Sequence, residues 1–284
     1  MEKLLTPIKL ANGIQLENRF VLSPMTTNSS TKDGIITKED LDYALRRAKS
    51  APLQVTGAAY VDVDGQLFEF GFGAHDDSCI PGLTKMASAM QDAGAKAILQ
   101  LTYSGAGANY YGVNHKVYGP SKLKLHLPFE HEVEELSHEM IDEIKQKYKD
   151  ATRRAIKAGF DGVEIHGANT FIVQQFFSPH SNRREDKWGG SRDNRAKFPL
   201  EVLRAIKQVV VEENVKQFAI GYRFSPEELE IPGIRFEDTM FLLNKLAEEG
   251  LDYVHFSMGV YTRSSIVDTD NPEELITQYL ARRS

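Results

Sequence analysis

The chain has 284 residues, 41% hydrophobic and 26% charged, with a formal net charge of −6 and a single cysteine, Cys79. The balance is that of a globular protein, its negative charge argues against a nucleic-acid footprint, and one cysteine excludes a disulfide framework or a site built on several thiolates. No apolar run reaches the roughly 18 residues of a membrane span, and MEKLLTPIKLANG has neither a sustained apolar core nor an A-x-A site, so a cytoplasmic location without a leader is expected.

In chain order the first signal is KLANGIQL, where Asn12-Gly13 between alternating apolar residues predicts a two-residue hairpin. Six short, nearly continuous apolar runs then predict buried strands at 19–22, 53–58, 96–101, 162–166, 217–223 and 253–257. Helical patterns follow each of them, at 37–50, 82–93, 137–157, 194–213, 236–249 and 272–283. Thr37 with Asp40 resembles a capping box, and Ile141, Ile144, Tyr148, Ala151 and Ala155 paint one apolar stripe on the third helix. Gly159 and Gly250 stand just past helix ends, where a left-handed residue is wanted.

Regular β–α alternation implies parallel strands with right-handed crossovers, in either an open doubly wound sheet or a closed barrel. A dinucleotide fold needs G-x-G-x-x-G after its first strand, and here that strand ends in Ser23-Pro24-Met25-Thr26. The expected architecture is therefore α/β, a TIM (β/α)8-type barrel forming one domain over 1–284. Only six β/α units are visible, so the barrel is expected to be incomplete at the C-terminus. The loops that usually build the phosphate site, after strands seven and eight, are then missing.

Chemistry in such barrels sits at the C-terminal strand ends. These ends offer Ser23 to Thr26, Ala58, Gln100 to Tyr103, His166 with Asn169, and Arg223. They hold no carboxylate pair, thiolate or metal-type His/Glu cluster, which points to a cofactor that carries the chemistry itself. No metal site is expected.

Together these residues closely resemble the old yellow enzyme family of FMN-dependent oxidoreductases, in the form of a bacterial NADH-dependent flavin oxidoreductase. NRFVLSPMTT, LQVTGAAYV and KAILQL resemble its first three strands. The match is densest over GFDGVEIHGANTFIVQQFFSPHSNRREDKWGGSRDNRAKF, residues 159–198. The resemblance implies FMN as cofactor and NAD(P)H as reductant, with hydride passing through the flavin to a small electron-poor acceptor such as an enone, quinone, nitro compound or flavin. By the same resemblance, Ser23, Pro24, Met25, Thr26, Ala58, Gln100 and Arg223 bind the flavin. Thr26 would lie near its O4/N5 edge, Gln100 on the pyrimidine edge, and Arg223 near N1/O2. His166 and Asn169 would donate to an oxygen of the acceptor.

Two departures qualify this. Most ene-reducing relatives carry a tyrosine where this chain has Phe171, leaving Tyr103, Tyr110, Tyr111 or solvent as proton donor. Relatives often read histidine and then glycine-arginine where this chain has Tyr103, Gly105 and Ala106. Both changes favour acceptors that do not need a placed proton donor. A second reading is a non-catalytic barrel fragment that binds flavin weakly or needs a partner; a homo-oligomer is left open. Trp188-Gly189-Gly190-Ser191 reads as architecture laced by Asp186, Arg192 and Arg195. Cys79 reads as an inert thiol, and Glu227-Glu228 and Arg46-Arg47 as solvated helix faces.

Overall fold

In the computed structural model, which describes residues 2–108, 116–126, 130–260, 262–266, 274–276 and 278, the first sheet is a hairpin of β1 (Ile8–Lys9) and β2 (Gln15–Leu16). Its loop is longer than the expected two residues. Gly13 N donates to Leu10 O at 2.9 Å and Leu10 N donates to Ile14 O at 2.8 Å, so Ala11 to Gly13 form the loop. Asn12 Oδ1 accepts from Ile14 N at 3.0 Å, which ties the side chain into a local turn of its own.

The chain continues with β3 (Val21–Leu22), α1 (Lys38–Arg47), β4 (Leu53–Tyr60), α2 (Ile80–Gln91) and β5 (Lys96–Thr102). A side sheet of β6 (Val117–Gly119), β7 (Leu123–Leu125) and β8 (His131–Glu135) comes next. Then follow α3 (His138–Lys157), β9 (Gly162–Gly167), α4 (Ile172–Phe177), α5 (Arg192–Glu212), β10 (Ala219–Phe224), α6 (Phe236–Glu248) and β11 (Tyr253–Phe256). All six predicted strands form, as do the first five predicted helices. The side sheet and α4 were not expected, and most of the predicted helix 272–283 lies outside the described residues.

The main sheet has the order β11-β10-β9-β5-β4-β3, and every pair in it is parallel. Each unit is laid beside the previous one in the same direction, so the sheet has no point at which the strand order reverses. A doubly wound sheet needs such a point; a barrel does not. Six strands of the barrel are therefore present, with β3 and β11 at the edges of the described sheet.

Strand alternation sorts the side chains into two faces. Leu99, Leu101, Val163, Ile165 and Tyr222 face the helices, where the predicted stripe of α3 and Phe198, Val202, Leu203 and Ile206 of α5 bury them. Leu53, Val55, Ile98 and Ala219 face inward, and Ile14 and Leu16 of the hairpin close over them like a plug at the N-terminal end of the sheet. Toward the C-terminal end the inward positions become polar: Gln100 pairs in register with Glu164, and Arg223 with both His166 and His255.

Capping follows the sequence closely. Thr37 N donates to Asp40 Oδ2 at 3.0 Å, completing the box at α1. Asp40, 1% exposed, also accepts from the hydroxyls of Thr27 (2.6 Å), Ser29 (2.7 Å) and Ser30 (2.7 Å), which moors the segment after β3 to α1. Gly159 and Gly250 have φ of +86° and +85°, as their places after α3 and α6 require.

Glu227 and Glu228 overturn the expectation of a solvated helix face. They sit after β10, outside any helix, and are 6% and 7% exposed. Glu228 accepts from Gln174 Nε2 (2.7 Å), Ser178 Oγ (2.6 Å) and Ile234 N (2.9 Å). Glu227 accepts from Arg263 Nη1 at 3.1 Å and Ser265 Oγ at 2.6 Å. Buried carboxylates persist where donors surround them, a condition composition does not reveal. Arg46 and Arg47 do lie in the last turn of α1, with Arg47 over the Tyr43 ring. Cys79 is buried, and burial pushes its thiol up, away from reactivity. Among the described residues no helix is long and apolar enough to cross a membrane.

Candidate active site

A pocket of about 420 Å³ opens at the C-terminal ends of the strands, lined by Pro24, Met25, Thr26, Leu67, Phe68, Ala58, Gln100, His166, Asn169, Phe171 and Arg223. Every residue proposed from the sequence lines it except Ser23. Ser23 instead lines a separate narrow cavity with Asp40, Tyr43 and Gln54, and Met25 borders both spaces. Leu67 and Phe68, in the loop after β4, were not anticipated. Gln66 Nε2 holds that loop by donating to Phe68 O (3.0 Å) and Glu69 O (3.2 Å).

One wall is made by a close approach of backbones. A side chain on Gly57 would place its Cβ 2.6 Å from Met25 O, so only glycine lets β4 run this near to the Met25-Thr26 segment. The pairing of β4 with β5 is irregular between Val55 and Ala58. That bulge brings Ala58 opposite Gln100 and aims it into the pocket. Ala58 N donates to Thr26 Oγ1 at 3.3 Å, leaving the hydroxyl proton of Thr26 available to a ligand.

The floor is charged and buried. Gln100 is 1% exposed, and its Nε2 donates to Glu164 Oε1 at 2.7 Å. His255 Nδ1 stands 3.3 Å from both oxygens of Glu164, which is fully buried. Sequence reasoning passed over both, although alternation alone puts Glu164 on the same inward face as His166. Arg223 Nε is buried with no hydrogen-bond partner. Burial pulls its guanidinium pKa down, against the opposing pull of Glu164.

His166 and Asn169 are fixed in ways that define what they can donate. His166 Nδ1 faces Ala168 N at 3.3 Å; that N–H can only donate, so the ring proton belongs on Nε2. Burial, with the charge of Arg223 beside it, holds its pKa well below 6.5, so the ring is neutral at neutral pH. Phe171 packs edge-on to the imidazole with ring centroids 4.3 Å apart. Asn169 has φ of +54° and Thr170 of +60°, a left-handed pair that strain would disfavour without external bonds. Asn169 N donates to Ser225 Oγ at 2.9 Å and Thr170 N to Gln174 Oε1 at 2.9 Å. Ser257 Oγ donates to Asn169 Oδ1 at 2.9 Å, which turns the amide so that Nδ2 is left to donate.

Tyr103 is not a proton donor here. It follows Leu99 and Leu101 in alternation onto the helix-facing side, is 3% exposed, and packs its ring against Gly65. Tyr110 and Tyr111 lie outside the described residues. The Trp188-Gly189-Gly190-Ser191 turn is structural, as its composition suggested. Asp186 accepts from Trp188 N (2.9 Å) and pairs with Arg184, which pulls its carboxyl down to about 2. Arg195 donates to Phe177 O and Gly190 O, whereas Arg192 only approaches Asp238 at 3.8 Å.

The pocket therefore combines apolar walls with polar atoms that protein groups leave uncommitted: the Thr26 hydroxyl proton, Gln100 Oε1, Arg223 Nε and the donors of His166 and Asn169. A flat heteroaromatic ring with a polar edge fits that set, and the isoalloxazine of FMN is such a ring. Among the described residues no group of three or more metal-type side chains converges.

Residues 3–278 match the model of the NADH:flavin oxidoreductase / NADH oxidase family, and the chain belongs to that family. It is 48% identical over 280 residues to an NADH:acrylate oxidoreductase of Vibrio harveyi, a match covering 98% of this chain and 28% of the relative. It is 46% identical to an NADH:fumarate oxidoreductase of Klebsiella pneumoniae, covering 100% of this chain and 31% of the relative. The chain thus spans less than a third of these two relatives. Its structure superposes on that of old yellow enzyme from a Pichia species with a TM-score of 0.80 at 27% identity, covering 91% of this chain and 72% of that one. FMN and NAD(P)H are the cofactor and reductant of this family, the pair expected from the sequence.

Proposed function

From that membership and the pocket's geometry we propose that this chain is the flavin-binding part of an NAD(P)H-dependent oxidoreductase whose acceptor is a small electron-poor molecule. The observation that carries this reading is the pair of fixed donors, His166 Nε2–H and Asn169 Nδ2–H, in a pocket that also holds Arg223, whose Nε has no partner. FMN, when bound, supplies the two-electron carrier between NAD(P)H and the acceptor.

The residues of this chain do the rest. Pro24, Met25 and Ala58 form the wall against which a ring lies, and Arg223 places fixed positive charge where negative charge would collect. Thr26 offers its hydroxyl proton to the ring edge. His166 and Asn169 hold an acceptor oxygen and draw electron density toward it. A neutral imidazole suits this role, because it donates one hydrogen bond without becoming the proton source.

Phe171 supplies no proton. That favours quinone, nitro or flavin acceptors over enones, whose α-carbon must be protonated. The acrylate and fumarate in the relatives' names are not assigned to this pocket, since the matches cover 28% and 31% of those proteins.

Removing an aligned donor of this kind typically costs about 10²–10³-fold in turnover. His166→Ala is therefore expected to lower quinone reduction by NADH by that order while FMN remains bound. Unchanged turnover and acceptor affinity in the variant would contradict the reading.

A further inference from the structure

Glu164 is the one carboxylate in the described interior of the sheet beneath the pocket, and the proposed function leaves it without a task. It is fully buried on β9, one inward position below His166. Such a group is expensive to bury and usually has a hydrogen-bonded reason for being there. Four neighbours surround it: Tyr253, whose hydroxyl is pushed away from ionisation by its burial and then by Glu164, and the three that follow. Gln100 donates to it at 2.7 Å, His255 Nδ1 lies 3.3 Å from both its oxygens, and Arg223 feels its charge without forming an ion pair with it.

Two consequences follow from this arrangement. A glutamine amide has two ends, and a carboxylate accepts only from the NH2 end. Glu164 thus fixes the orientation of Gln100 and leaves Oε1 as the atom available to a ligand, so Gln100 meets the flavin as an acceptor. The second consequence is electrostatic. Arg223 alone would favour added negative charge in the pocket, and a buried carboxylate nearby offsets part of that field.

We propose that Glu164 is a positioning residue of the flavin site, orienting Gln100 and opposing Arg223 so as to hold the flavin's reduction potential low. The inference rests on the flavin reading given above. Its two parts separate by substitution. Glu164→Gln keeps the shape and an acceptor for Gln100 but removes the charge. Glu164→Asp keeps the charge but withdraws the oxygens by one methylene.

The experiment is FMN titration followed by anaerobic redox titration of the wild type and both variants. For E164Q we expect FMN affinity near that of the wild type and a more positive midpoint potential. An order of tenfold in the ratio of reduced to oxidised flavin, about 30 mV for a two-electron couple, is the scale anticipated. For E164D we expect the potential held and FMN bound several-fold more weakly. A residue that merely supported the fold would move the melting temperature and leave the potential alone.

Equal potentials in wild type and E164Q, or a larger shift in E164D than in E164Q, would overturn the assignment. Should E164Q fail to fold, E164D still decides, because a shifted potential with the charge retained is contrary to it. If the wild type binds no FMN, the flavin reading itself is overturned and this inference falls with it. Binding with an unmoved potential removes this inference alone.

Discussion

The inward face of the parallel sheet has two halves built from the same strands. Toward the N-terminal ends lie Leu53, Val55, Ile98 and Ala219, sealed by Ile14 and Leu16 of the hairpin. Toward the C-terminal ends lie Gln100, Glu164, His166 and Arg223, where Arg223 Nε has no partner. Ile98 and Gln100 are two residues apart on β5 and point the same way, yet one is packing and the other belongs to the pocket. Direction is set by alternation; the task is set by height along the strand. The lower half is apolar packing sealed by the hairpin, whereas the upper half is an open pocket lined by Gln100, His166 and Arg223, with Arg223 Nε left to a ligand.

That contrast breaks most sharply under substitution. Ile98→Ala, in the sealed half, should cost about 2–5 kcal/mol of stability through lost burial and the cavity left behind. Denaturant unfolding reads this loss, while FMN affinity measured well below the transition should stay near that of the wild type. Arg223→Met should do the reverse. It removes a half-buried cation with no hydrogen-bonded partner at its buried Nε, so stability should hold or rise by about 1 kcal/mol while flavin affinity falls. A large loss of stability in Arg223→Met would show that the upper half is also structural.

Smaller effects sharpen the comparison. Ser257→Ala frees the Asn169 amide to turn, an effect on the order of 1 kcal/mol or roughly fivefold, read as a rise in acceptor KM with kcat less affected. The pH response of His166 is subtler. Its pKa in the folded chain lies well below 6.5, so at mildly acid pH the unfolded chain binds a proton that the folded chain refuses. Stability is therefore present in full above the unfolded value and declines as pH falls below about 6.5. His166→Ala should flatten that part of the stability–pH curve, and an unchanged slope would place the acid sensitivity elsewhere.

Much of this was legible in the sequence for physical reasons. Strands buried on both faces leave continuous apolar runs, and the α3 stripe leaves a helical period, so the barrel units could be read directly. The pocket residues were legible through strand ends and the resemblance around residues 159–198. Other features left less trace. The strands of the side sheet, β6 to β8, are only three to five residues long, although the alternation of Lys122, Leu123, Lys124, Leu125 and His126 is itself a period-two signal for β7. Glu227 and Glu228 read as solvated because their donors come from distant segments: Gln174, Ser178, Arg263 and Ser265. Tyr103 and Glu164 were different. The alternation that carries Leu99 and Leu101 outward also carries Tyr103, and the one that carries His166 inward also carries Glu164, so both positions follow from a period of two alone.

The most direct test of the account is a visible absorbance spectrum of the purified chain titrated with FMN, before and after anaerobic NADH. A perturbed flavin band is expected at stoichiometric binding, bleaching on adding NADH and lost or weakened in Arg223→Met. A folded protein that leaves the spectrum of free FMN unchanged would contradict the assignment of the polar upper half of the sheet as a flavin site.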